Sequence, residues 1–141
     1  ISYEYDPNDQ LKAKELYSSE SNSTYVKGKD EDLQSIANGI TGFKGDVNIN
    51  LSEPMRFEEQ DNYQTIADKI SDSIISMYKP HATNYAACNL LGLDWQDQDK
   101  YSVRDIEHAE KILRDRMKTL ESGACSKLLE QYANPVIKKL Q

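Results

Sequence analysis

The spacing of apolar residues along this chain switches between two periods. Ile1, Tyr3 and Tyr5 alternate with Ser2 and Glu4, the two-residue rhythm of a strand. The same rhythm returns at Val47, Ile49 and Leu51, interleaved with Asn48 and Asn50, and Glu53-Pro54 closes it. Elsewhere the steps are three and four, the signature of helices with one buried face. Asp6 before Pro7, with Asp9 beyond, predicts a helix start, and Leu11, Leu16 and Tyr17 give that short helix an apolar edge. Ser18 to Lys29 is polar and serine-rich and reads as a surface loop. Lys29 or Asp30 then opens a second helix carrying Leu33, Ile36, Ala37 and Ile40, and Gly42-Phe43-Lys44-Gly45 turns into the second strand.

Beyond Asn62 the pattern is helical throughout. Tyr63, Ile66, Ala67, Ile70, Ile74, Met77 and Tyr78 form one stripe that Pro80 stops. Thr83 to Leu91 predicts a shorter helix ending at Gly92, and Asp94 to Lys100 a polar loop around Trp95. Ser102-Val103-Arg104-Asp105 is a capping box. It starts a long helix with Ile106, Ala109, Ile112, Leu113, Met117 and Leu120 inward, closed by Gly123. A last helix carries Leu128, Leu129, Tyr132, Ala133, Val136, Ile137 and Leu140, with Pro135 expected to kink or interrupt it. The fold class is thus a mainly helical α/β fragment: a β-α-α-β unit followed by a bundle of about four helices. Two strands this far apart do not make a sheet that stands alone, so the chain reads as the back part of a larger α/β protein.

Composition narrows the partners. The chain has 141 residues, 38% hydrophobic and 29% charged, and a net charge of -7. Its mean hydropathy of -0.78 suits a well-solvated helical protein with a modest core. The negative charge disfavours nucleic acid and broad electrostatic docking to anionic lipid. No apolar run approaches a membrane span. Cys88 and Cys125 lie outside any Cys-x-x-Cys pattern and read as two buried free thiols of a cytosolic protein.

Candidate chemistry is sparse. His81 and His108 have no cysteine or carboxylate at metal-ligand spacing and read as surface histidines, so no metal or cofactor is expected. The acidic stretch from Asp94 to Glu107 lacks the glycine and the final glutamate of a calcium loop. Glu58, Glu59 and Asp61 read as a solvated helix start. Arg104, Lys111 and Lys118 share a helix face with enough acids nearby to read as an ion-laced surface. Glu4, near the carboxyl end of a strand, is the one residue with a case for substrate binding, because α/β sheets collect ligands at that edge.

Two stretches carry a family resemblance. Ile1-Ser2-Tyr3-Glu4-Tyr5-Asp6 with Ala13-Lys14-Glu15-Leu16, and Gly42-Phe43-Lys44-Gly45-Asp46-Val47-Asn48-Ile49-Asn50-Leu51-Ser52-Glu53-Pro54, resemble the second half of the glycerophospholipid acyltransferase domain. Glycerol-3-phosphate and 1-acylglycerol-3-phosphate acyltransferases are of this kind. The resemblance implies that residues 1–58 are the C-terminal part of an acyltransferase α/β domain and 59–141 a helical C-terminal region. The intact protein would move an acyl chain from a CoA or acyl-carrier-protein thioester to a glycerol-phosphate hydroxyl. The family uses a His-x4-Asp dyad, the histidine as general base. Five residues after His81 is Ala86, and five after His108 is Leu113, so the resemblance places the catalytic pair upstream of Ile1 and none in this chain. It also implies acyl-CoA or acyl-carrier protein and a glycerol-phosphate acceptor as partners, in a cytoplasmic protein with peripheral membrane contact. The unpaired Ile1–Tyr5 edge adds an expectation of self-association. The competing expectation is a non-catalytic helical module in which residues 60–141 pack against a partner. A third is a standalone structural protein that pairs its strands by oligomerising.

Overall fold

Eight elements run along the chain: β1 (Ser2–Tyr5), α1 (Gln10–Glu20), α2 (Glu31–Thr41), β2 (Val47–Asn50), α3 (Tyr63–Ser76), α4 (Ala82–Leu91), α5 (Val103–Met117) and α6 (Ser122–Leu140). They come from a computed structural model that describes residues 2–5, 10–21, 25–42, 44–95 and 100–140, with 2–5 described by backbone alone. The expected order, β-α-α-β and then four helices, is the observed one among these residues, and helix dominates. The helix start expected at Asp6 to Asp9 lies outside the described residues.

α4 sits at the centre. Thr83, Asn84, Tyr85, Ala86, Ala87 and Cys88 are all buried, because α5 and α6 both pack against this helix. Its alanines and cysteine let two neighbouring helices approach closely. Ile106, Ala109 and Leu113 of α5, and Leu128, Leu129, Tyr132, Ala133 and Val136 of α6, complete the core, with Ala13 of α1 closing one side. Local chemistry sets the helix ends. Asn62 Oδ1 accepts the Thr65 N–H at 3.0 Å to start α3. Asp105 Oδ2 accepts the Ser102 N–H at 3.0 Å while Ser102 Oγ accepts the Asp105 N–H at 3.3 Å, the capping box read from sequence. Gly92, at φ 69°, takes the left-handed conformation that ends α4.

β1 and β2 form a two-stranded antiparallel sheet in which Ser2 faces Asn50, Tyr3 faces Ile49, Glu4 faces Asn48 and Tyr5 faces Val47. Asn48 Nδ2 reaches the Lys79 carbonyl at 3.4 Å, linking β2 to the segment between α3 and α4.

Four details differ from the sequence reading. α1 continues to Glu20 where a loop was expected from Ser18. Ser19 Oγ donates to the Glu15 carbonyl at 2.8 Å, and Glu20 pairs with Lys127 of α6 at 2.8 Å, so polar side chains hold the last turn. α5 ends at Met117, and Gly123 lies inside the first turn of α6 rather than closing the long helix. A Cβ at Gly123 would stand 1.9 Å from Tyr17 Cε2, so glycine is there for the close approach of α1. α6 runs through Pro135 without interruption, and Leu140, expected inward, is exposed. The apolar stripe of α2 forms as a stripe but is not covered: Leu33, Ile36 and Ile40 all stand exposed, and no residue of α2 is buried. Tyr63 and Ile70 of α3 are exposed likewise.

Candidate functional site

The densest group of buried polar side chains lies where the chain passes from α3 into α4. α3 stops at Ser76, so the carbonyls of the next residues have no helical donor. Side chains supply the donors instead. Lys139 Nζ of α6 donates to the Tyr78 carbonyl at 2.8 Å. Lys100 Nζ at 2.8 Å and the Tyr101 hydroxyl at 3.3 Å both donate to the Pro80 carbonyl. The Lys100 ammonium also lies 5.1 Å from the centre of the Tyr101 ring. Tyr85 packs its ring against Trp95 at 4.7 Å and Tyr101 at 5.9 Å, and Trp95 Nε1 donates to Asn89 Oδ1 at 2.8 Å.

His81 sits inside this corner, which corrects its reading as a surface histidine: it is 5% exposed. It precedes α4, so its backbone adopts an extended conformation and its N–H donates to Asn84 Oδ1 at 2.5 Å. Asn84 Nδ2 in turn donates to the Tyr132 carbonyl of α6 at 2.7 Å. That carbonyl lies one residue past Gln131, whose own carbonyl loses its usual donor because Pro135 has no N–H. His81 Nε2 is buried without a hydrogen-bond partner. A general base has to touch the hydroxyl it deprotonates. An imidazole nitrogen closed off in this way does not, so the arrangement is a structural joint between α4, α6 and the loop before α5. Hydrophobic periodicity missed it, because His81, Thr83 and Asn84 are polar residues on a helix buried on all sides.

His108 is exposed on α5, as read from the sequence. Among the described residues no three His, Cys, Asp or Glu side chains gather where a metal ion would bind. Cys88 is buried, and burial pushes its thiol up to about 11, which removes thiolate reactivity near neutral pH. Cys125 is only half-buried, a correction to the expectation of two buried thiols, with Sγ 3.6 Å from the Met117 carbonyl. A second polar knot precedes α2. The Tyr25 hydroxyl donates to the Glu31 carboxylate, which also accepts the Gly28 N–H at 2.9 Å. The carboxylate holds the phenol proton and raises Tyr25 to about 12, while the phenol holds Glu31 below the ordinary carboxylate range. Lys27 joins Asp32 at 2.8 Å and Glu15 of α1 at 3.9 Å. Glu15, Glu31 and Asp32 are thus all engaged by structural donors.

Glu4 pairs with Asn48 through the β1–β2 ladder, and its side chain lies outside the described residues. The pair is antiparallel, so the carboxyl end of β1 lies beside the amino end of β2. Arg104, Lys111 and Lys118 are all exposed, and Lys118 meets Asp115 at 2.7 Å, the ion-laced surface that was expected. No helix among the described residues is long and apolar enough to cross a membrane. Comparison with protein-family models, curated proteins and solved structures finds no match to this chain.

Proposed function

We propose that residues 1–58 are the C-terminal part of a phospholipid-biosynthetic acyltransferase domain and that 59–141 form a helical region attached to it. The intact protein transfers an acyl chain from a CoA or acyl-carrier-protein thioester to a glycerol-phosphate hydroxyl. Its catalytic histidine and aspartate lie outside this chain. The observation that carries this reading is the contrast between the two halves. α4, α5 and α6 close a core to which α1 adds Ala13. α2 and β2 fold into definite elements but leave Leu33, Ile36, Ile40, Val47, Ile49 and Leu51 exposed. Apolar faces of that extent belong against further structure, and Val47, Ile49 and Leu51 lie within a stretch whose motif resembles the acyltransferase domain. The closed state of His81 agrees with this reading, since its buried Nε2 does not reach a substrate hydroxyl.

The test is thiol release from acyl-CoA or acyl-carrier protein in the presence of glycerol 3-phosphate, by the product of the whole gene. Release dependent on an upstream His-x4-Asp is the expected result. A whole gene product with no such motif and no thiol release would falsify the proposal. A non-catalytic helical module is the second reading, favoured by the well-packed core that α4, α5 and α6 mostly supply. It expects an inactive gene product that keeps a protein partner through residues 60–141.

A further inference from the structure

We infer that β2 is a dimerisation strand, pairing antiparallel through its free edge with β2 of a second copy of this chain, centred on Ile49. It concerns the 141-residue chain on its own, because further strands of a whole acyltransferase domain would compete for the same edge. β2 is hydrogen-bonded to β1 on one side, and no other described strand meets it, so its other edge offers unpaired N–H and C=O groups. Natural edge strands are blunted by Lys, Pro or a bulge. Val47-Asn48-Ile49-Asn50-Leu51 has none of these.

Its pattern fits a copy of itself. A two-fold interface requires each residue to meet a partner that meets it in return. With Ile49 on the axis, Val47 lies opposite Leu51 of the second copy, Asn48 opposite Asn50, and Ile49 opposite Ile49. Apolar residues then meet only apolar ones, and asparagines only asparagines. The flanks agree: Asp46 falls opposite Ser52 and Glu53 opposite Gly45, so no acid faces an acid. A shift by one residue would put asparagines opposite the apolar set and lose this match. Val47, Ile49 and Leu51 are 50%, 69% and 72% exposed, so they are free to make cross-strand contacts with their opposites in the second copy. Five paired residues cover less than the roughly 800 Å² per partner of a stable dimer, so the dimer is weak and depends on concentration, with half-association on the order of 100 µM.

The register makes an unusual test available. Sedimentation of the 141-residue chain between 5 and about 500 µM should show its mass rising towards two copies and stopping there. Ile49→Lys and Ile49→Glu should each abolish the rise, because like charges then oppose each other on the axis. An equal mixture of the two should restore it, because lysine then opposes glutamate. In a Cys125→Ser background, oxidised Ile49→Cys should form a disulfide-linked dimer, since directly opposed strand residues lie about 4.5–5.5 Å apart. Val47→Cys should not, because the two copies of that position lie about 14 Å apart along the strands. The cysteine variants keep the test valid if the charged ones unfold. A strict monomer at the highest concentration, growth past two copies, a dimer indifferent to Ile49→Lys, or equal cross-linking at 47 and 49 would each overturn the assignment.

Discussion

Asn84 connects three parts of the molecule with one side chain. Its carbonyl oxygen accepts the His81 N–H and its amide donates to the Tyr132 carbonyl, both in the buried interior. Asn84→Ala leaves the buried His81 N–H without its acceptor and takes one of its donors from the Tyr132 carbonyl, and a buried orphan costs about 1–3 kcal/mol. The expected loss is about 2–4 kcal/mol, read as a lower urea midpoint with the helical circular dichroism of the folded state retained. A loss under about 0.5 kcal/mol would mean that water or a shifted backbone satisfies these groups. Gly123 is the other critical position. Any Cβ there collides with the Tyr17 ring, so Gly123→Ala should cost about 1–3 kcal/mol through displacement of α1 from α6. Shortening the ring with Tyr17→Leu should remove much of that penalty in a double-mutant cycle, because the two residues are in contact. Additive losses would deny the contact. Neither residue was legible in advance. Glycine adds nothing to a hydrophobic stripe, so Gly123 read as a helix stop, and Ala13 was left out of the apolar edge of α1 although it is buried. A buried asparagine looks like any surface asparagine until its partners are known.

Elements were more legible than residues, for a physical reason. Strand and helix periods, the turn to helix at Asn62, Ser102 as a cap and Gly92 as a terminator are local signals, and the structure uses all of them. What failed depended on distant partners. The last turn of α1 is polar and has no apolar reason to be helical, yet Lys127 of α6 holds Glu20 in place. The stripe of α2 is amphipathic in sequence, but amphipathicity does not say what covers it. The start of α3 illustrates a local signal with a testable charge. Asp61 accepts the Lys69 ammonium at 2.6 Å and the Glu58 N–H at 2.9 Å. Lys69 first, and the backbone N–H second, hold its carboxyl below the usual value of 3.8. A depressed carboxyl stabilises the fold above its unfolded value, and that contribution disappears as pH falls through the folded value. Asp61→Asn should therefore lower Tm at pH 7, and the gap to the parent should narrow steadily below about pH 4. A gap of constant size from pH 7 to pH 2.5 would show that the amide fails for steric reasons and that the charge is irrelevant.

At the scale of the whole molecule, a closed helical core contrasts with an α2 and a β2 whose apolar residues are exposed, and the proposed acyltransferase reading puts the chemistry in neither. Acyl transfer to a hydroxyl needs a base against that hydroxyl, and a positioned base contributes about 10²–10⁴-fold. In this chain one histidine is sealed beneath Pro80 and the other projects from α5 without a partnering aspartate at the family spacing. The 141-residue chain alone should thus release no thiol from acyl-CoA above a buffer control when glycerol 3-phosphate is supplied. Within the whole gene product the residue to change is Glu4, which the β1–β2 ladder fixes opposite Asn48. Glu58, in the exposed segment before α3, is the control. Glu4→Ala should lower kcat/KM for the glycerol-phosphate acceptor clearly more than Glu58→Ala, with the acyl-thioester dependence changed less, if the β1 edge forms one wall of the acceptor cleft. Equal effects of the two substitutions would remove Glu4 from the site while leaving the location of the base untouched. Turnover by the 141-residue chain that vanishes on His81→Ala or His108→Ala would reverse the larger conclusion, because the chemistry would then belong to the helical half.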